Sequence, residues 1–261
     1  MINMQLVFDY LKHRFTAKTR HGVHSPFVYK LIDEIIYDFH AKNEYREIEE
    51  LRAALLQDER VINITDLGAG SHLNNNKKKG VSTIAKNALK PARLAQLIYR
   101  LAEYFSPKNV IELGTCLGIT TAYLAKAVPA SPVISIEGCP ETAAIAAENL
   151  SRLKISNVEL NTGNFDTVLP DILDRQENLD FVFIDGNHRK DATLNYFEWC
   201  LPKLSENGIM IFDDIYWSKG MKEAWQQIKA DPRVTVTVDL FWIGLVFVRK
   251  GQVKEDFKVK Y

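Results

Sequence analysis

At 261 residues the chain can bury a sizeable core, either as one large domain or as a domain with an appendage. Its 33 Lys and Arg balance 33 Asp and Glu, which argues against the basic face that nucleic acid or an anionic membrane would require. Cys116, Cys139 and Cys200 lie far apart, without CxxC or Cys/His metal spacing, as expected of a reducing compartment.

The opening "MINMQLVFDYLKHRF" has charges within its first ten residues, so it lacks the apolar core of a signal peptide. No apolar run reaches the roughly 18 residues of a membrane span. A soluble, cytoplasmic protein is expected. Residues 1–60 read as helical, because "LVFDYLKHRF", "FVYKLIDEIIYDFH" and "EYREIEELRAALL" carry apolar residues at three- and four-residue intervals. Between the first two lies the polar turn "AKTRHGVHSPF", whose His21 and His24 read as loop or cap residues, or alternatively as part of a lid.

Residues 61–80 begin like a strand and reach a glycine turn, "DLGAG" at 66–70. A nucleotide-binding turn must run at once into a helix, whose N-terminus supplies free N–H groups. Here "SHLNNNKKKG" follows instead, so this turn reads as a decoy and Lys77–Lys79 as a solvated loop. The pattern divides the chain into a helical region with an irregular loop over 1–88 and an α/β domain over 89–261.

From residue 90 strands and helices alternate. The helix "PARLAQLIYRLAEYF" precedes the strand–helix pairs "NVIEL"/"GITTAYLAKAV", "VISIE"/"PETAAIAAENLSRL", "NVELNTG"/"TVLPDIL", "LDFVFID"/"ATLNYFEWCLPKL" and "GIMIFDD"/"KGMKEAWQQIKA". Such alternation with short links implies a parallel sheet covered on both faces. "VTVTVDL" and "IGLVFVRK" lie so close in sequence that they must form an antiparallel hairpin.

The second glycine turn, "IELGTCLG" at 111–118, runs directly into a helix. Gly114 can take the tight turn, and Gly118 can let the helix pack closely. Cys116 stands where the dinucleotide fingerprint has its second glycine, which counts against NAD, NADP or FAD, and no P-loop motif is present. Glu112 would be unwelcome near a pyrophosphate but suits a cofactor bearing an ammonium and a sulfonium. Glu137, at the end of the next strand, can accept both ribose hydroxyls. Together these features favour S-adenosylmethionine (SAM).

At these residues, over about 90–250, the chain resembles the class I SAM-dependent methyltransferases and, within them, the catechol O-methyltransferase-like, metal-assisted branch. The resemblance implies a Rossmann-like, mostly parallel sheet of seven strands ending in an antiparallel hairpin, with residues 1–88 as a helical extension. It implies that Glu112, Gly114, Thr115, Cys116 and Gly118 line the methionine part of the cofactor, with Thr120 at the following helix start. Glu137 would bind the ribose, Gly138 and Cys139 would lie beside the adenine, and Asn164 and Phe165 would flank its edge.

Asp185, Asp213 and Asp214 close two strands, where the ligand crevice of an open α/β sheet lies. Three converging carboxylates must share a cation or repel one another. All-oxygen ligation suits Mg²⁺, Ca²⁺ or Mn²⁺. The other reading is that Asp185 caps the next helix or contacts the cofactor, and that Asp213 and Asp214 orient a loop. The related branch holds a metal with this geometry and commonly has Asn at the position of Asp214. It has a lysine base where this chain has His188, and a histidine can exchange protons near neutral pH. His188 and Asp185 are thus the catalytic candidates, with a helix-start histidine as the plainer reading. Lys190 reads as a surface charge. Tyr216, Trp217, Phe241 and Trp242 would form an acceptor wall or simply pack in the core.

The expected activity is metal-assisted O-methylation of a small-molecule hydroxyl, with an aromatic acceptor in view and the oligomeric state, homo-oligomers included, left open. A nicotinamide-dependent oxidoreductase and a non-catalytic SAM-binding scaffold are the competing readings. An RNA methyltransferase would need a basic stretch that the sequence lacks.

Overall fold

The computed structural model describes residues 4–65 and 78–261, so the first glycine turn and Lys77 lie outside the described residues. The chain forms two compact units. One comprises the segment up to Asp38 together with Glu177–Tyr261; the other is Phe39–Gln176. This grouping follows contacts in space, whereas the division at 88/89 marked a change of sequence pattern.

Unit Phe39–Gln176 carries three parallel strands, β3 (Val110–Leu113), β4 (Val133–Glu137) and β5 (Val158–Thr162), with β4 between the other two. Helices α5 (Ala92–Phe105), α6 (Ile119–Ala127), α7 (Pro140–Arg152) and α8 (Phe165–Asp174) alternate with them. The helices α3 (Asn43–Leu55) and α4 (Val81–Ala88) bury Tyr45, Ile48, Leu51, Leu55, Val81 and Ile84 in one cluster with Tyr99, Tyr123, Ile145 and Leu150. Each fully buried aliphatic side chain there contributes about 1.5–3 kcal/mol, which holds α3 and α4 on the helical layer. Lys78 and Lys79 correct the loop expectation. With Gly80 they form β2 (Lys78–Gly80), paired antiparallel with β1 (Val61–Asn63). The pairing satisfies backbone groups, while Lys78 keeps its charged head in water.

The other unit contains α1 (Met4–Thr16), the short helix α2 (Pro26–Lys30), β6 (Leu179–Ile184), α9 (Lys190–Cys200), β7 (Leu204–Asp213) and α10 (Lys219–Ala230). It ends with β8 (Val236–Asp239), β9 (Ile243–Phe247) and β10 (Glu255–Lys258). Strands β6 and β7 are parallel. The expected hairpin is β8–β9, and β9 also pairs antiparallel with β7. The seven expected strands are thus β3 to β9, and the fold is α/β, mostly parallel and Rossmann-like. An eighth strand, β10, adds in parallel to β8. In the "RHGVHSPF" segment Ser25 caps α2 by accepting the Val28 N–H, and His21 and His24 are exposed turn residues.

Gly244 in β9 is required by packing. A Cβ there would lie 2.6 Å from the ring of Trp225, which α10 holds fully buried. Gly244→Ala is expected to destabilise the protein by about 3 kcal/mol through overpacking, read as a lowered urea midpoint at unchanged m-value.

Candidate active site

Unit Phe39–Gln176 builds the glycine turn. β3 is buried throughout and stops at Leu113, after which Gly114 (φ 104°), Cys116 (φ 50°) and Gly118 (φ 81°) take left-handed conformations. The Gly114 N–H donates to Ile136 O at 2.9 Å, and the Gly118 N–H to Thr115 O at 2.9 Å, so the turn is pinned to β4 and closed on itself. Cys116 therefore keeps the backbone that a glycine would take in the dinucleotide fingerprint, but with a side chain attached. A non-glycine residue held there costs about 1–3 kcal/mol, a strain met most often at functional sites.

Glu137 is tied to this turn. Its Oε2 accepts the Cys116 N–H at 2.7 Å and its Oε1 the Cys139 N–H at 2.9 Å. Burial pushes the Glu137 carboxyl above its usual range, against the opposing pull of those N–H donors. Each oxygen has two acceptor sites, so both can receive hydroxyls while the N–H bonds fix the carboxylate.

Glu112 is fully buried. Its Oε2 accepts the Ser135 hydroxyl at 2.6 Å and the Thr121 hydroxyl, and Ser135 shares a further hydrogen bond with Thr115 Oγ1. The Thr115 side chain is thus engaged inside the fold. Ser135 and Thr121 escaped sequence reasoning, although a serine within the buried strand "VISIE" was a signal. Gly118 packs against α7, where an added Cβ would lie 3.2 Å from the Ala146 Cβ. Thr120 is buried. The Cys139 thiol lies against the backbone of Asn63 and Thr65, and Gly138 precedes it at partial exposure. The Asn164 side chain caps α8 by accepting the Asp166 N–H at 3.0 Å, and Phe165 follows, half-buried.

The other unit holds the acid cluster. Asp185 follows β6, Asp213 ends β7 almost fully buried, and Asp214 leaves the strand at φ 54°. His188 Nε2 lies 3.9 Å from Asp185 Oδ1 and 3.8 Å from Asp214 Oδ2. Asp185, His188 and Asp213 each offer a donor atom, and these three atoms lie within 4.8 Å of one another. The expected ligand trio was Asp185, Asp213 and Asp214; His188 also stands among these carboxylates, 3.8 Å from Asp214 and 3.9 Å from Asp185. Lys190 donates to Glu223 at 2.8 Å, as suits a surface charge.

The four aromatics divide. Tyr216 stacks on the buried Phe241 at 4.7 Å, whereas Trp217 and Trp242 are exposed. Beneath them is a buried polar knot that sequence reasoning missed. Asp239 receives hydrogen bonds from His13 Nε2 (3.0 Å), the Phe241 N–H (3.0 Å), the Tyr216 hydroxyl (2.8 Å) and Trp225 Nε1 (3.3 Å). Among the described residues no helix is long and apolar enough to cross a membrane.

A family model described as "Methyltransferase domain" matches residues 111–215, which span the glycine turn, Glu137 and the acid cluster. That match covers residues 111–215 alone, and over them the chain is similar to a methyltransferase domain. O-methyltransferases are among its relatives by sequence: it is 35% identical over 117 residues to the catechol O-methyltransferase of Niastella koreensis, covering 44% of this chain and 52% of that one. It is 30% identical over 114 residues to an O-methyltransferase of Aspergillus flavus, covering 41% and 45% of the two chains. The chain thus spans about half the length of the curated relatives it matches. The fold is also that of the S-adenosylhomocysteine-bound O-methyltransferase of Bacillus cereus, with a TM-score of 0.56 at 20% identity over 81% of this chain and 93% of that one. The S-adenosylhomocysteine-bound methyltransferase of Podospora anserina gives a TM-score of 0.60 at 14% identity, over 87% and 97%.

Proposed function

We propose that the protein transfers a methyl group from SAM to a hydroxyl oxygen of a small, aromatic acceptor with the help of a divalent cation. The observation that carries this reading is the Glu137 carboxylate, fixed by the Cys116 and Cys139 N–H groups beside the glycine turn. A carboxylate held this way can take two vicinal ribose hydroxyls, and the left-handed backbone at Gly114 and Cys116 lets a ligand approach the main chain. The similarity to the Niastella catechol O-methyltransferase supports oxygen as the acceptor atom and a catechol-like substrate.

The acid cluster fits a cation, since two carboxylates and an imidazole nitrogen converge within 4.8 Å. When bound, SAM supplies a methyl group activated on a sulfonium, and the cation lowers the pKa of the acceptor hydroxyl. With SAM bound, the acceptor oxygen would take the methyl carbon as the C–S bond breaks, S-adenosylhomocysteine would be the leaving group, and the hydroxyl proton would pass to solvent water. Such an in-line displacement depends on positioning, which falls to Glu137 and the glycine turn for the donor and to Asp185 and Asp213 for the cation. We place the activity in residues 89–261, with 1–88 as an accessory helical region, in a cytoplasmic protein.

Calorimetry with S-adenosylhomocysteine tests the cofactor. The parent is expected to bind at micromolar affinity, and Glu137→Ala at least about 30-fold more weakly, because hydrogen bonds to a charged group contribute about 1.5–3 kcal/mol each. Binding of NAD⁺ in place of S-adenosylhomocysteine would reinstate the oxidoreductase reading.

A further inference from the structure

We infer that His188 is itself a metal ligand, completing an Asp185–His188–Asp213 site that selects a first-row transition dication over Mg²⁺. The inference rests on the metal-assisted reading above and assigns the imidazole to the cation, in place of the free base implied by the family's lysine.

Distance is the first ground. His188 Nε2 stands between two carboxylates, 3.9 Å from Asp185 Oδ1 and 3.8 Å from Asp214 Oδ2. Both separations exceed a hydrogen bond, so neither carboxylate grips the ring directly. Two donors each about 2.1 Å from one ion lie about 3.0 Å apart at a right angle and about 4.2 Å apart when opposed. The His188–Asp185 spacing falls inside that interval, the Asp185, His188 and Asp213 donor atoms lie within 4.8 Å of one another, and Asp214 stands near enough to His188 to join the same ion.

Local backbone is the second ground. His188 follows Asn187, which holds φ 50° and donates from Nδ2 to the Tyr196 hydroxyl at 2.9 Å. After the carboxyl end of the neighbouring parallel strand β7, Asp214 holds φ 54°, with its N–H donated to Trp242 O at 2.8 Å. These left-handed residues, each braced by a hydrogen bond, flank His188 and Asp213 and hold the backbone from which the imidazole and the Asp213 carboxylate project.

Donor chemistry then decides the ion. An all-carboxylate site suits Mg²⁺ or Ca²⁺, whereas an imidazole nitrogen among carboxylates favours later first-row ions. Mg²⁺ gains little from the nitrogen, so loss of His188 should be felt selectively.

The experiment titrates the parent and His188→Gln with Co²⁺, Mn²⁺ and Mg²⁺ by calorimetry and records the visible spectrum of bound Co²⁺ and the nitrogen coupling of bound Mn²⁺ by pulsed electron paramagnetic resonance. The parent is expected to bind Co²⁺ at least about 10-fold more tightly than Mg²⁺ and to show nitrogen coupling. His188→Gln should lose about 10- to 100-fold in Co²⁺ affinity and the nitrogen coupling, with less than about 3-fold change for Mg²⁺. Unchanged S-adenosylhomocysteine affinity shows that the variant is folded. Equal metal binding by parent and variant, without nitrogen coupling, overturns the ligand assignment and leaves metal-assisted transfer standing. No metal binding by the parent, with S-adenosylhomocysteine present or absent, overturns both.

Discussion

Asp213→Ala is expected to lower methyl-transfer turnover by about 10³-fold or more while S-adenosylhomocysteine binds within about 2-fold of the parent, since cation activation supplies several kcal/mol and each 1.4 kcal/mol is tenfold in rate. Asp213 is almost fully buried at the end of β7, with its donor atom beside those of Asp185 and His188. The residues assigned to the cofactor belong to other elements, Gly114 and Cys116 after β3 and Glu137 at the end of β4. Removing one cation ligand should therefore separate turnover from cofactor affinity. Initial rates with a catechol acceptor, paired with calorimetry, measure the split. Excess EDTA should bring the parent down to the variant's level, and added dication should restore only the parent. Full parental activity in EDTA would remove the cation from the mechanism. A thermal midpoint close to the parent's is needed to attribute the loss to chemistry, because a buried carboxylate can also serve packing.

What the sequence disclosed follows from range. Apolar spacing is local, so the alternating strands and helices and the β8–β9 hairpin were readable, and Glu137 was visible as a strand-end carboxylate after a glycine turn. The β10 pairing was not, because "EDFK" is a polar segment and its partner β8 lies elsewhere in the chain. Neighbouring aspartates at the end of β7 could not be ranked from spacing alone. Successive strand residues point to opposite faces, and the left-handed turn at Asp214 directs its carboxylate differently from that of Asp213. The buried partnership of His13 and Asp239 joins positions 226 residues apart, a separation that no periodicity spans.

That partnership carries the largest expected effect on stability. Asp239→Ala should destabilise the protein by about 3–5 kcal/mol, the usual result of removing one partner of a buried charged network. The loss leaves His13 Nε2, the Tyr216 hydroxyl, Trp225 Nε1 and the Phe241 N–H without their shared acceptor. Phe241, at φ 75°, also loses the bond that helps hold its strained backbone. The effect has a defined pH dependence. Burial alone would raise the Asp239 carboxyl, but the His13 hydrogen bond and charge, with the Phe241 N–H and Tyr216 hydroxyl, outweigh it and hold the carboxyl below its usual range. A carboxyl lowered on folding adds stability that is fully present above its unfolded pKa of about 3.9 and is lost as pH falls through the lower folded value. The part of the gap between parent and Asp239→Ala that comes from the carboxylate charge should therefore narrow as pH falls below about 4. Urea denaturation across that range measures it. A gap that widened below about pH 4 would mean that Asp239 is neutral in the fold, and the knot would then be held by hydrogen bonds without the carboxylate charge.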